Sequence, residues 1–177
     1  QIMHYLNDMH RLPSAKMDYV ISYFRPENKF PDRVFGGFTR VLKDLRGCSM
    51  DLLAYLPYTS LSLGTGFPEG WSMRQCSALD LWELNRFYSH CSRGLLLDAM
   101  DLNRKKPGNG SLEKVYARFG FLRKQKSYCL VYDNELYAVL VADQSELGFN
   151  FSELTNGIKV LVTKPDSLPW RVLSIAT

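Results

Sequence analysis

Three features are scarce in this sequence of 177 residues, and each scarcity argues against a class of protein. No apolar run approaches the roughly 20 residues that span a bilayer, so we expect no membrane insertion. No two cysteines have the C-x-x-C spacing of many zinc and redox sites. The positive charge is mild, since 22 Lys and Arg against 18 Asp and Glu leave a net charge of +4. The concentrated basic surface of a nucleic-acid binder is therefore not expected.

Apolar and aromatic side chains, in contrast, are abundant. Hydrophobic residues make up 46% of the chain and aromatic residues 13%, which predicts a packed α/β interior rather than a disordered chain. The cysteines at positions 48, 76, 91 and 129 are expected to be reduced thiols of a cytoplasmic protein, because no signal peptide is visible. The chain starts at Gln1, which suggests a segment of a longer protein or a trimmed product.

The first third of the chain predicts the order strand, loop, helix and strand. Residues 17–24 and 50–56 have the apolar, β-branched or aromatic composition of buried strands. Between them we expect a helix over about 32–46, with Pro31 near its start. Its apolar residues recur at helical spacing and should face a central strand at 19–24. These residues are Phe35, Phe38, Val41 and Leu42.

The rest of the chain predicts a strand, helices and then a β-hairpin with one more strand. Residues 61–70 contain Gly, Pro, Ser and Thr and are the expected connector. Ser77 and Asp80 have the spacing of a capping box that starts a helix. A further helix is expected after Ser111, a hairpin over 128–142, and a strand at 158–162.

This order of elements resembles the two halves of a GCN5-related N-acetyltransferase (GNAT) fold, written in reverse. Residues 1–60 are similar to the C-terminal part of that fold, a central strand followed by a phosphate-binding loop, a helix and a strand. Residues 71–177 are similar to the N-terminal part, a strand, two helices and a three-stranded meander. The resemblance implies an α/β architecture, a mixed α+β sheet with helices on both faces. The halves, permuted or in tandem order, would form one continuous structural unit.

The most informative motif is RVFGGF at residues 33–38. GNAT enzymes have Gln or Arg, two residues, Gly, any residue and then Gly or Ala, where N–H groups at a helix N-terminus bind the pyrophosphate of acyl-CoA. Phe38 departs from this pattern, since a benzyl group stands where a small residue is expected. The alternative is that the glycines only permit close packing of the helix. The resemblance implies that acetyl-CoA or another acyl-CoA is bound by Arg33, Val34, Gly36 and Gly37.

The same resemblance implies a base for the amine and an acid for the departing thiolate. Glu27 and Tyr58 are the candidates by position. Because Phe38 weakens the loop and no convincing acid–base pair is present, we expect a GNAT-like module of a bacterial signalling or regulatory protein, with weak or no N-acyltransferase activity. An active acyl-CoA-dependent N-acetyltransferase is the alternative. The expected partners are acyl-CoA, or another protein or adjacent domain, with no metal and no nucleic acid.

A second short motif gives another alternative. Residues 143–148, DQSELG, fit the D-x-S-x-x-G signature of PilZ domains, which bind cyclic di-GMP. Those domains carry R-x-x-x-R upstream, where guanidinium groups bind phosphates, but the arginines here are one residue too far apart. The motif is also compatible with a turn that ends a strand. The nucleotide-binding residues of this alternative are Arg118, Arg123, Asp143, Ser145 and Gly148.

Overall fold

The computed structural model describes residue 19 and residues 21–43, 47–56, 66–103, 112–118, 120–146 and 156–177. The chain divides into two units, of which the first is Gln1–Leu52 with Ser92–Leu102. The second is Leu53–Cys91 with Asn103–Thr177. These are not the same sets of residues as the halves expected at 1–60 and 71–177. Within the described ranges, no helix has both the length and the apolar character needed to cross a bilayer.

The described elements are helices of both units and strands of the second unit. Helix α1 runs over 29–42 and comprises Lys29–Pro31, a π-helical turn Asp32–Gly36, and Gly37–Leu42. The other helices are α2 (Ala78–Cys91), α3 (Leu96–Ala99), α4 (Leu112–Arg118) and α5 (Trp170–Ala176), with a short 3₁₀ turn at Pro165–Ser167. The strands are β1 (Trp71–Gln75), β2 (Arg123–Tyr132), β3 (Glu135–Ser145) and β4 (Gly157–Val162).

In the first unit, α1 begins earlier and ends earlier than the sequence predicts. It starts at Lys29 and ends before Lys43, which adopts a positive φ of 50°. Arg40 holds the π-helical turn, since its guanidinium donates to the Asp32 carboxylate at 3.1 Å and to the Asp32 carbonyl at 3.1 Å. Farther along the unit, Asp51 accepts a hydrogen bond from Ser92 at 2.6 Å. Ser49 accepts one from the backbone N–H of Leu95 at 2.8 Å.

The predicted packing of α1 on a central strand is wrong. The described residues of the two expected strands, residue 19 with 21–24 and 50–56, lie in no sheet. A strand gains stability only in a ladder, and without one there is no sheet face for the helix to cover. Accordingly Phe38, Val41 and Leu42 are 51%, 79% and 58% exposed. Phe35 is partly buried and lies against Phe24, with the ring centroids 6.3 Å apart.

The second unit is built on a four-stranded antiparallel sheet in the order β1-β2-β3-β4. The predicted strand, helices and hairpin are all present here, and the hairpin turns at Asp133 and Asn134, whose φ angles of 47° and 66° suit a two-residue turn. Helix α5, which the sequence analysis did not predict, packs on one face of the sheet. There Val172 and Ala176 join the buried residues Leu130, Ala138 and Leu140.

The opposite face of the sheet is also covered. Cys129, Val139 and Val141 point to that face and are fully buried. Helix α4 lies there, with the ring of Tyr116 5.8 Å from the Arg123 guanidinium carbon. Helices therefore lie on both faces, and the chain is of mixed α+β class; the finer GNAT architecture stays a prediction.

Two cysteines of this unit are joined, which corrects the expectation of four reduced thiols. Cys76 follows β1, and its N–H donates to the Ser127 carbonyl at 3.0 Å, so it extends the ladder between β1 and β2. Its sulfur is disulfide-bonded to that of Cys129, with the two Cα atoms 5.2 Å apart. The disulfide ties the corner between β1 and α2 to the buried centre of β2. Cys48 and Cys91 are free thiols.

Helix α2 begins with the predicted capping box. The Ser77 N–H donates to the Asp80 carboxylate at 2.7 Å, and the Asp80 N–H donates to the Ser77 hydroxyl at 3.3 Å. Arg74 of β1 adds two hydrogen bonds to the same carboxylate, at 2.6 and 2.8 Å. The Arg74 guanidinium, and then Ser77, hold the pKa of Asp80 well below its ordinary value although the carboxylate is buried.

Candidate functional site

The glycine motif lies inside α1, not at a free helix end. The unpaired N–H groups of a helix belong to its first turn, which here contains Lys29 and Phe30. By Gly37 the helix is established, and the Gly37 N–H already donates to the Asp32 carbonyl. The structure therefore places one of the expected pyrophosphate donors in an intrahelical hydrogen bond.

The surroundings of the two glycines differ. Among the described residues, no atom lies within 4 Å of a Cβ atom built on Gly37, so none of them closes this side of the helix to a ligand. A Cβ built on Gly36 meets the Asp32 carboxylate at 2.6 Å and the Arg40 guanidinium at 3.1 Å. Gly36 is needed, therefore, to let this ion pair fold back over the π-helical turn. A carboxylate at this position would repel a pyrophosphate, although Arg40 offsets part of its charge.

The structure describes the other residues of the expected acyl-CoA site only in part. Arg33 is exposed on α1 and Val34 is partly buried. Glu27 is exposed in the turn that precedes the helix. Tyr58, the candidate acid, lies outside the described residues.

Two residues of the second candidate set, Arg123 and Asp143, belong to a charged cluster on the sheet, which is defined by Arg123, Gln125, Asp143 and Lys159. Arg123 donates to the Asp143 carboxylate at 2.8 Å and Lys159 donates to it at 3.0 Å. Gln125 adds a hydrogen bond at 3.1 Å. The Asp143 side chain is only 6% exposed and that of Arg123 10%, so this is a largely desolvated ion-pair cluster.

This cluster brings together two of the five residues of the cyclic di-GMP alternative, Arg123 and Asp143, but they form an ion pair with each other. Ser145 is engaged elsewhere, since its N–H and hydroxyl donate to the Asn156 side-chain carbonyl at 2.7 and 3.1 Å. Arg118 is exposed at the end of α4, and Gly148 lies outside the described residues. The described part of the D-x-S-x-x-G motif thus ends a strand, as in the structural alternative.

Sequence reasoning missed two members of the charged cluster, Gln125 and Lys159. Lys159 is the one charged residue in the apolar strand β4, GIKVLV. A lone cation at that position is a signal for a buried carboxylate on a neighbouring strand, because unpaired charges are rarely buried. Gln125 lies directly opposite Asp143 in the ladder, which only the strand register reveals.

In the part of the chain that the structure describes, no group of three or more His, Cys, Asp or Glu side chains lies close enough to hold a metal ion. No protein-family model matches the chain, and no curated protein or solved structure is significantly similar to it. The chain is a mixed α+β protein with a buried ion-pair cluster. Because no similar protein was found, its function is inferred from its own residues.

Proposed function

We propose that this chain is a GNAT-like module of a bacterial regulatory protein, with weak or no N-acyltransferase activity. The observation that carries the proposal is the order of elements in the second unit. Strand β1 is followed by α2 and α4 and then by the antiparallel strands β2, β3 and β4, with β1 beside β2. That order agrees with the order of a strand, helices and three-stranded meander in the GNAT resemblance.

The proposal of weak or absent catalysis rests on α1. The Gly37 N–H donates to the Asp32 carbonyl within the helix, and the Asp32 carboxylate lies beside Gly36. Acyl transfer also requires a base near the amine, and the candidate base Glu27 is exposed in a turn. What remains for acyl-CoA is an open helix side at Gly37 with the exposed cation Arg33. These features would support weak association at most.

Titration calorimetry with acetyl-CoA, together with an assay of free CoA release in the presence of a polyamine and of lysine peptides, tests this proposal. We expect weak heat or none, and no CoA release above the background. The matched variants are Arg33→Ala, on α1, and Arg25→Ala, an arginine before the helix that is also exposed. Acetyl transfer that Arg33→Ala abolishes and Arg25→Ala preserves would show that the chain is an active N-acetyltransferase.

Cyclic di-GMP serves as the second ligand in the same titration. The one observation in favour of this alternative is that Arg123 and Asp143 converge, at 2.8 Å. Their mutual ion pair leaves less of the guanidinium for a phosphate, so we expect no saturable binding. Saturable binding that Arg123→Lys weakens, with the protein still folded, would replace the proposed module by a nucleotide-binding effector.

A further inference from the structure

Strand β4 has one free edge among the described residues. It pairs with β3 and with no other strand, in a register that runs without a bulge from Ala138 opposite Val162 to Asp143 opposite Gly157. Thr163 continues this ladder, since its N–H donates to the Tyr137 carbonyl at 2.9 Å. The edge of β4 that faces away from β3 therefore presents a regular row of backbone groups.

The hydrogen-bonding pattern between β3 and β4 identifies the residues that form that row. In an antiparallel pair, residues whose backbone groups bond to the neighbour alternate with residues whose groups point away. Because the backbone of Thr163 hydrogen-bonds to β3, the backbone groups of residues 161, 159 and 157 hydrogen-bond to β3 as well. The N–H and C=O groups of Ile158, Val160 and Val162 accordingly point outward, away from the sheet.

This edge lacks the features that usually protect an edge strand. Such strands carry proline, a bulge, or a charged side chain that blocks pairing with another chain. β4 has no proline, and its lone charge, Lys159, is turned onto Asp143 at 3.0 Å. Ile158 is an apolar side chain that is 47% exposed. The opposite edge strand, β1, has exposed polar side chains instead, among them Ser72, Arg74 and Gln75.

We propose that β4 pairs antiparallel with β4 of a second copy of this chain, so that one sheet continues across a two-fold dimer. The strand is self-complementary about Val160. In that register Val160 lies opposite the partner's Val160, and Ile158 lies opposite the partner's Val162. All the outward residues then face each other and exchange roughly six backbone hydrogen bonds.

The side chains and charges of β4 favour a second copy as the occupant. The facing residues are β-branched, the kind that forms favourable cross-strand pairs, and they lie on the same side of both sheets. Lys159 would lie opposite the partner's Leu161, so no like charges meet directly across the pair, and its ammonium group is turned onto Asp143 at 3.0 Å. A two-fold axis makes this contact isologous, so the same residues of β4 meet from both copies. The proposal does not depend on acyl-CoA binding.

Sedimentation equilibrium of the whole chain, without added ligand, tests the proposal. We expect the unmodified protein to be a dimer. Ile158→Lys places a cation on each side of the interface, and Val160→Pro removes an outward N–H without removing a bond to β3; each should raise the dissociation constant at least tenfold. Met73→Lys is the matched control, because Met73 is 40% exposed on β1, and it should leave the dimer unchanged.

The outcomes separate clearly if circular dichroism shows that the variants are folded. A monomeric unmodified protein would overturn the proposal. So would a dimer that Met73→Lys dissociates as strongly as Ile158→Lys. Hydrogen exchange gives a further check, since protected outward amides of Ile158 and Val160 in a monomer would mean that another segment of the same chain covers the edge.

Discussion

Asp80 offers the sharpest test of how the second unit is held together. Its carboxylate accepts hydrogen bonds from the Ser77 N–H and hydroxyl and two from Arg74. Asp80→Ala removes all of them. Loss of a helix cap costs about 1 kcal/mol. Arg74 is 48% exposed and can be solvated, so its ion pair contributes at most about 1 kcal/mol.

We therefore expect Asp80→Ala to lower the free energy of unfolding by about 2 kcal/mol, which is a fall in Tm of roughly 4–8 °C for a chain of this size. Asp80→Asn keeps an acceptor for Ser77 but loses the charge, so it should cost about half as much. The assay is urea unfolding followed by tryptophan fluorescence. It reports the second unit specifically, because Trp71, Trp82 and Trp170 all belong to it.

The effect should also depend on pH in a defined direction. The pKa of Asp80 is lowered in the folded protein by Arg74 and Ser77, so the ionised form is the one that stabilises the fold. That stability is present above the ordinary aspartate pKa of about 3.9 and is lost as the pH falls below it. The difference between the unmodified protein and Asp80→Asn should thus shrink on acidification.

Two results would refute this reasoning. One is a difference between the unmodified protein and Asp80→Asn that stays constant or grows from neutral pH to acid. The other is an equal loss of stability in Asp166→Ala, which removes an exposed carboxylate from the 3₁₀ turn Pro165–Ser167 and should change stability by less than about 0.5 kcal/mol.

Three further predictions follow from the same structure. Cys76→Ser should lower stability by roughly 4 kcal/mol in oxidised protein, since the bond to Cys129 closes a loop with a sequence separation of 53, and a reductant should abolish the difference in thermal melts. Asp143→Ala leaves two cations in a largely buried site and should cost about 3–5 kcal/mol in urea unfolding, more than Asp80→Ala. Phe38→Ala should lower the free energy of unfolding by less than about 1 kcal/mol, whereas Leu84→Ala, at a buried position, should lower it by about 2–5 kcal/mol; unfolding followed by circular dichroism measures both.

The second unit could be predicted well because its signals are local. The capping box at Ser77 and Asp80 involves residues three apart, and the hairpin at Asp133 and Asn134 closes over two. Such elements depend on hydrogen bonds between near neighbours, so their sequence pattern is nearly sufficient. Helix α5 escaped prediction because its seven residues are short and its stability comes from packing on Leu130 and Leu140, far away in sequence.

The charged cluster could not be predicted because it depends on register. Asp143, Arg123 and Lys159 lie on three different strands, and a shift of one residue in either pairing would turn a member to the opposite face. The sequence motif did single out Asp143 and Arg123, but as ligands for a nucleotide. Their actual contact, at 2.8 Å, makes them partners of each other.

The glycine motif shows how a small displacement in a helix changes the chemistry that a sequence implies. Pro31 is compatible with any position in the first helical turn, because none of those N–H groups has an intrahelical partner. The proline therefore locates the helix start only to within one turn. Had the helix begun at Arg33, its first four N–H groups, with that of Gly36 among them, would have been free for an anion. Because it begins at Lys29, the Gly37 N–H is bonded to Asp32, and the free donors belong to residues without the glycine motif. Binding of acyl-CoA at α1 must then come from Arg33 and the open side at Gly37. If α1 binds the cofactor, Arg33→Ala should lower the affinity for acetyl-CoA. If α1 has the motif but does not bind the cofactor, the substitution should change nothing.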